Sequence, residues 1–241
     1  DGDKLGFPVF PLQWTDPVTG EVSGGYRESG YFPEAMINML AFLGWNPGTE
    51  QELYTLEELA ETFSLDRVGK SGSRFDPEKA RWYNQQYLKT KTDKEIAEIC
   101  IPFLEKRGIR KDTDFIASII GLVKERMVFP QDLWEQAFYF FLAPMDYDQQ
   151  MQKKIWKEDT PAIILQVKDV LLSAADFTSV ALEATVKHFV EVKGLGFGRV
   201  MAPLRLLIVG SGMGPHLFDI LEIIGRDETD KRIETGLAKL C

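Results

Sequence analysis

Apolar residues change their spacing near residue 33. Between Gly6 and Tyr31 they alternate with polar ones on either side of Thr15-Asp16-Pro17-Val18-Thr19-Gly20, which predicts an irregular hairpin. From Pro33 onward the spacing is helical: Met36, Met39, Leu40 and Leu43 line one face before Gly44, and Asn46-Pro47-Gly48 breaks the chain. Thr55 with Glu58 has capping-box spacing ahead of a short helix to Phe63. Asp76-Pro77 opens a helix to about Leu88, and Thr92 with Glu95 opens one that Gly108 ends. Asp112 or Thr113 caps the next helix, which is expected to run to about Arg126. Gln131–Leu142 holds Trp134, Phe138, Tyr139, Phe140 and Phe141, too many rings for one exposed face, and reads as a core helix. Ala143-Pro144-Met145-Asp146 marks a boundary. Further helices are expected at Pro161–Ser173, Ser179–Val192, Phe197–Val209, Pro215–Ile224 and Glu228–Leu240. The expected fold is mainly α, with the C-terminal two thirds all-α.

Composition narrows this picture. The 241 residues, 44% hydrophobic and 27% charged, suffice for one large core or two to three small ones. No run of about 18 apolar residues occurs, and the opening Asp1-Gly2-Asp3-Lys4 resembles neither a signal peptide nor a transit sequence, so no membrane partner is expected. Cys100, in an apolar helical run, and Cys241, at the chain end, suit a reduced, cytoplasmic setting. A net charge of −9 argues against nucleic acid. The cations nevertheless gather: Arg67, Lys70, Arg74, Lys79 and Arg81 form one group, and Lys106, Arg107, Arg110 and Lys111 another. They are either a basic face on an acidic body or ordinary solvated helix faces.

No catalytic constellation emerges. His188 and His216 lack a cysteine or carboxylate at zinc-ligand spacing. Gly194-Leu195-Gly196-Phe197-Gly198 and Gly210-Ser211-Gly212-Met213-Gly214 follow no strand and lack the Gly-Lys-Ser/Thr ending of a phosphate loop, so both read as helix connectors. Asp219 and Glu222, three residues apart on one helix, read as a solvated face.

Several long strings do discriminate. Tyr31-Phe32-Pro33-Glu34-Ala35, Leu40-Ala41-Phe42-Leu43-Gly44-Trp45, Tyr54-Thr55-Leu56-Glu57-Glu58-Leu59, Phe63-Ser64-Leu65-Asp66-Arg67-Val68 and Phe75-Asp76-Pro77-Glu78-Lys79-Ala80-Arg81-Trp82-Tyr83-Asn84 resemble the region that follows the catalytic domain in bacterial-type glutamyl-tRNA synthetases. Ala202-Pro203-Leu204-Arg205-Leu206-Leu207 and Gly214-Pro215-His216-Leu217-Phe218-Asp219-Ile220-Leu221 resemble the same family's anticodon-binding C-terminal domain. Val9–Glu28 looks like an insertion relative to that pattern, and the match is sparse around Arg126.

The resemblance implies a stem-contact region over residues 1–88 with the hairpin as an N-terminal insertion, and two helical anticodon-binding subdomains over 89–145 and 146–241. It further implies a parent enzyme that joins glutamate to tRNA(Glu) with ATP and Mg2+. The family's His-Ile-Gly-His-like motif and Lys-Met-Ser-Lys-Ser-like loop are missing here, so no cofactor and no catalysis are expected of this chain. Its expected partners are tRNA(Glu) and the N-terminal catalytic domain of the full-length protein, and it is expected to be a monomer.

By the same resemblance Arg67, Lys79, Arg81 and Trp82 contact the tRNA stem, although Trp82, near Phe75 and Tyr87, also suits a core position. Arg126, Arg205 and the loop Gly214, Pro215, Leu217 and Phe218 correspond to the anticodon-binding positions, with Leu217 as an apolar shelf and recognition at Gly214 falling to backbone groups. Arg126 matches the position that separates glutamate from glutamine anticodons at their third base; a helix-terminal charge is the plainer reading. Arginine suits such a task because its fork makes two directed hydrogen bonds and stacks on a base. Two rival readings stand: a helical protein-interaction scaffold without RNA binding and, more weakly, a self-contained enzyme, which needs a catalytic constellation the sequence does not show.

Overall fold

The computed structural model describes residues 7–70 and 72–240, so Cys241 lies outside the described residues. The chain forms two compact units, Asp1–Glu135 and Gln136–Cys241.

The first unit opens on a two-stranded antiparallel hairpin, β1 (Trp14–Thr15) with β2 (Val22–Ser23), in the register Trp14↔Ser23. Its turn is held by the Asp16 carboxylate, which accepts the N–H groups of Val18 at 2.7 Å and Thr19 at 3.0 Å. These same N–H groups hold the Asp16 carboxyl below the usual range.

Six helices follow: α1 (Pro33–Ala41), α2 (Leu56–Thr62), α3 (Pro77–Thr90), α4 (Asp93–Glu105), α5 (Thr113–Val123) and α6 (Asp132–Phe141), the last running across the division between the units. Both capping boxes form, at Thr55/Glu58 and Thr92/Glu95, and Asp76 and Asp112 cap α3 and α5 through their side chains. The helix expected to reach Arg126 ends at Val123. Its last residues tighten into a 3-10 turn, Lys124–Arg126, pinned by Lys124 Nζ on Asp93 and on the Lys91 carbonyl.

Two buried asparagines tie this unit together. Asn84 accepts the Phe32 N–H at 2.7 Å and donates to the carbonyls of Val128 at 2.7 Å and Gly30 at 3.3 Å. Asn38 accepts from the Tyr54 N–H and the Tyr87 hydroxyl and donates to the Glu52 carbonyl. With α1 packed on α2 and α3, and α4 on α5, these bonds fix where α3 presents its outer face.

The second unit contains α7 (Gln149–Ile155), α8 (Thr160–Ser173), α9 (Ser179–Val192), α10 (Phe197–Val209), α11 (Leu217–Ile224) and α12 (Arg226–Leu240). At its centre is α10, with Val200, Pro203, Leu204 and Leu206–Val209 buried, packed against α7, α8 and α12. α7 is not foreshadowed by apolar spacing: it is short and polar, with no buried residue, and only Asp148, accepting from Gln150 N and Met151 N, marks its start. α11 begins two residues later than expected, at Leu217, because the Pro215 carbonyl is taken by Arg205. The mainly α fold read from the sequence is the fold observed.

Candidate nucleic-acid interface

The Asp76 cap and Pro77 start α3 so that Lys79, Arg81 and Trp82 fall on its exposed side while Ala80, Tyr83 and Asn84 are buried. Lys79 Nζ lies 3.8 Å from Glu52 and over the Tyr83 ring. The Arg81 guanidinium stacks 5.2 Å above Phe129. Trp82 is 38% exposed and meets Tyr83 edge-on. The core placement allowed by Phe75 and Tyr87 does not occur: Phe75 stacks on Phe7, and the Tyr87 hydroxyl is bonded to Asn38 and the Tyr54 carbonyl. Arg67 sits in the 3-10 turn Leu65–Arg67, where its guanidinium donates to the Pro47 carbonyl and props the Asn46-Pro47-Gly48 turn.

Arg126 is exposed at the end of its own 3-10 turn and makes no hydrogen bond or ion pair among the described residues. Its neighbours are anchored instead. Lys124 is bonded as described above, and Glu125 pairs with Lys89 at 2.7 Å. The turn is therefore fixed while its guanidinium stays available.

In the second unit the half-buried Arg205 donates to the carbonyls of Met213 and Pro215, both at 2.9 Å, clamping the connector between α10 and α11. Burial lowers its pKa below the usual arginine value. Gly214 has φ +103, and a Cβ there would come within 3.1 Å of the Tyr139 hydroxyl, so the connector needs glycine at this position. Leu217 and Phe218 are completely buried and belong to the unit's core. The apolar shelf expected of Leu217 is thus not at the surface, because α11 starts at that residue and turns it inward. The exposed apolar side chain of the connector is Met213, 61% exposed, which sequence reasoning passed over although it is the one large side chain in Gly210-Ser211-Gly212-Met213-Gly214.

The features set aside as non-catalytic have structural tasks. Both glycine-rich segments are helix connectors. Glu222 accepts the Ser179 N–H at 2.6 Å and so caps α9 from α11, while Asp219 accepts the Ser179 hydroxyl and holds that end in place. Among the described residues no cluster of three His, Cys, Asp or Glu side chains could hold a metal ion, and no helix is long and apolar enough to cross a membrane.

Comparison with known proteins places these observations. Residues 19–82 match the family described as tRNA synthetases class I (E and Q), catalytic domain, a stretch that includes Arg67, Lys79, Arg81 and Trp82. Among curated relatives, the glutamate-tRNA ligases of Phocaeicola vulgatus and Flavobacterium psychrophilum are 49% and 50% identical over the whole chain. The chain spans about half their length, 48% and 47%. A crystal structure of a glutamate tRNA ligase from Elizabethkingia meningosepticum in complex with its amino acid superposes with a TM-score of 0.95 at 41% identity, covering 100% of this chain and 48% of that one. Residues 95–237, more than half of the sequence and including Arg126, Arg205 and the clamped connector, match the anticodon binding domain, and the chain belongs to that family.

Proposed function

We propose that this chain is the tRNA-holding, anticodon-reading portion of a glutamate-tRNA ligase. The observation that carries the reading is Arg126: an exposed guanidinium, free of partners among the described residues, on a turn whose other residues are anchored, inside the anticodon-binding match. Glutamate activation, with its ATP and Mg2+, belongs to the remainder of the longer protein, and tRNA(Glu) is the partner. The chain acts as a cytoplasmic monomer, without a membrane partner.

In this reading Lys79 and Arg81 contact stem phosphates, with Arg67 and Trp82 beside them. Arg205 holds the Met213–Pro215 backbone in place with two of its donors, which leaves the others for a base edge. The side chains of Leu217 and Phe218 support that connector from beneath, while Gly214, beside Pro215, offers its backbone groups to a base.

The test is a titration of the wild-type chain and Arg126→Gln against two anticodon hairpins that differ only in the third base, C or G. A guanidinium donates to the cytosine carbonyl but meets the amino group of guanine in the same pocket. The wild type is expected to prefer C, and the variant to lose about 1 to 3 kcal/mol of that preference while keeping most of its affinity. Equal binding of both hairpins by the wild type removes the role of Arg126. No binding of either, nor of intact tRNA, removes the RNA reading and favours a protein scaffold.

A further inference from the structure

Four cations lie within six residues at the end of α4: Lys106, Arg107, Arg110 and Lys111, the densest basic run in a chain of net charge −9. The fold gathers them on one corner. Gly108, at φ +76, closes α4 in a left-handed turn; its N–H bonds the Glu105 carbonyl at 2.9 Å, and the Ile109 N–H returns to Leu104 at 3.0 Å. Both pairs, before and after the glycine, therefore lie in the short connector between α4 and α5. All four side chains are exposed.

How they are held is informative. None makes an ion pair with a carboxylate among the described residues, whereas most other partnered lysines of the first unit do, as with Lys89, Lys91, Lys94 and Lys124. Aromatic faces support three of the four: Lys106 over Phe103 at 6.0 Å, Arg107 over Trp134 at 5.3 Å, and Lys111 over Phe115 at 4.7 Å. Arg107 is also tied back to the Phe103 carbonyl at 3.2 Å. A ring orients a cation without cancelling its charge, so the positive field of this corner stays available to an outside anion. The nearby acids are largely engaged: Asp112 caps α5 through the Phe115 N–H at 2.8 Å, and Asp114 pairs with Lys94 at 2.7 Å, leaving Glu105 as the exposed flanking acid.

We propose that the Lys106–Lys111 corner is a second RNA-contacting element, one that binds backbone phosphates of the tRNA independently of the anticodon positions. The proposal rests on the RNA-holding reading above. An acidic body repels RNA, so contact has to be routed through localised, un-neutralised cations, and this corner is the strongest such locus. Phosphate contact here carries no base information.

The experiment measures binding of the 241-residue chain to fluorescently labelled tRNA over a range of salt concentrations. Three proteins are compared with the wild type, each checked for folding by circular dichroism. The corner variant carries Lys106→Gln, Arg107→Gln, Arg110→Gln and Lys111→Gln. A charge-matched control carries Lys153→Gln, Lys154→Gln, Lys187→Gln and Lys193→Gln. A conservative variant carries Arg107→Lys and Arg110→Lys.

The corner variant is expected to lose about ten-fold or more in affinity near 0.1 M salt, with the log–log salt slope shallower by about 2 to 3, the loss of about three phosphate contacts. The control stays near wild type, and the conservative variant keeps the wild-type slope because phosphate contact needs charge more than fork geometry. A corner variant that binds like wild type, or a control that loses as much, overturns this inference while leaving the RNA reading intact. A wild type that binds no tRNA overturns both.

Discussion

Asn84 shows how much a single residue can carry. Its carboxamide satisfies three backbone groups from segments 44 to 54 residues away in sequence, and it is 0% exposed. Replacement by Ala leaves those groups buried without partners, each at a cost of about 1 kcal/mol or more. Asn84→Ala is expected to lower stability by about 3 kcal/mol in urea denaturation, with an unchanged m-value. Nothing in the sequence marked Asn84 for this task, since its partners are backbone atoms of distant loops. Cys100 makes a second, pH-dependent case. Burial, assisted by the charge of Asp132, pushes its thiol up to about 12 from the model-peptide value of 9.0. The native state thus favours the neutral thiol. That contribution to stability is complete below about pH 9, where the unfolded thiol is also neutral, and is lost as the pH rises through about 12. In the native chain Cys100 is expected to resist thiol-specific alkylation at pH 8, and in urea to react at once, with the label assigned to the Cys100 peptide by mass spectrometry so that Cys241 is not counted; rapid labelling of native Cys100 would contradict this placement.

At the scale of elements, helix starts were legible where an adjacent cap precedes apolar residues at helical spacing. Thr55, Asp76, Thr92 and Asp112 each announced the helix they begin, because an N-cap side chain bonds N–H groups two or three residues on. α9 was also foreseen, from its apolar spacing, but its cap is not local. Its adjacent residue, Thr178, makes no capping bond; Glu222 of α11 accepts the Ser179 N–H, and Asp219 the Ser179 hydroxyl. Such a cap is invisible to any local pattern, which is why those two carboxylates read as a solvated face. Glu222→Ala is expected to destabilise the chain by about 1 kcal/mol, the usual worth of a lost cap, and Thr178→Ala by less than about 0.5 kcal/mol. Denaturation of the two variants side by side checks this, and the reverse ranking refutes the cross-helix cap. α7 escaped notice for the complementary reason, having no apolar face to leave a period in the sequence. The same limit explains the candidate site: string matches located the α10–α11 connector, but only the register of α11 decides that Leu217 turns inward and Met213 outward.

For the whole molecule, the proline at Pro144 suggested a seam at 145/146, whereas the compact units divide at 135/136, within the continuous helix α6. A helix resists proteases because its backbone is held in hydrogen bonds, so limited chymotrypsin digestion of the native chain is expected to spare residues 132–141 despite their leucine and aromatic residues. Early cuts in that range, read by mass spectrometry, would contradict it. The second half of α6 also supplies partners to the unit that follows: the Tyr139 carbonyl accepts from the buried Arg232 at 2.6 Å, and the Tyr139 ring closes on Gly214. For recombination between related genes this sets where parents can be joined. A crossover at 143–146 pairs Tyr139 from one parent with residue 214 from the other, and a side chain at 214 then has to take up a strained positive φ while crowding the inherited ring at about 3.1 Å. A crossover ahead of residue 132 transmits both together, so viable chimaeras should carry the aromatic helix along with the C-terminal unit it completes.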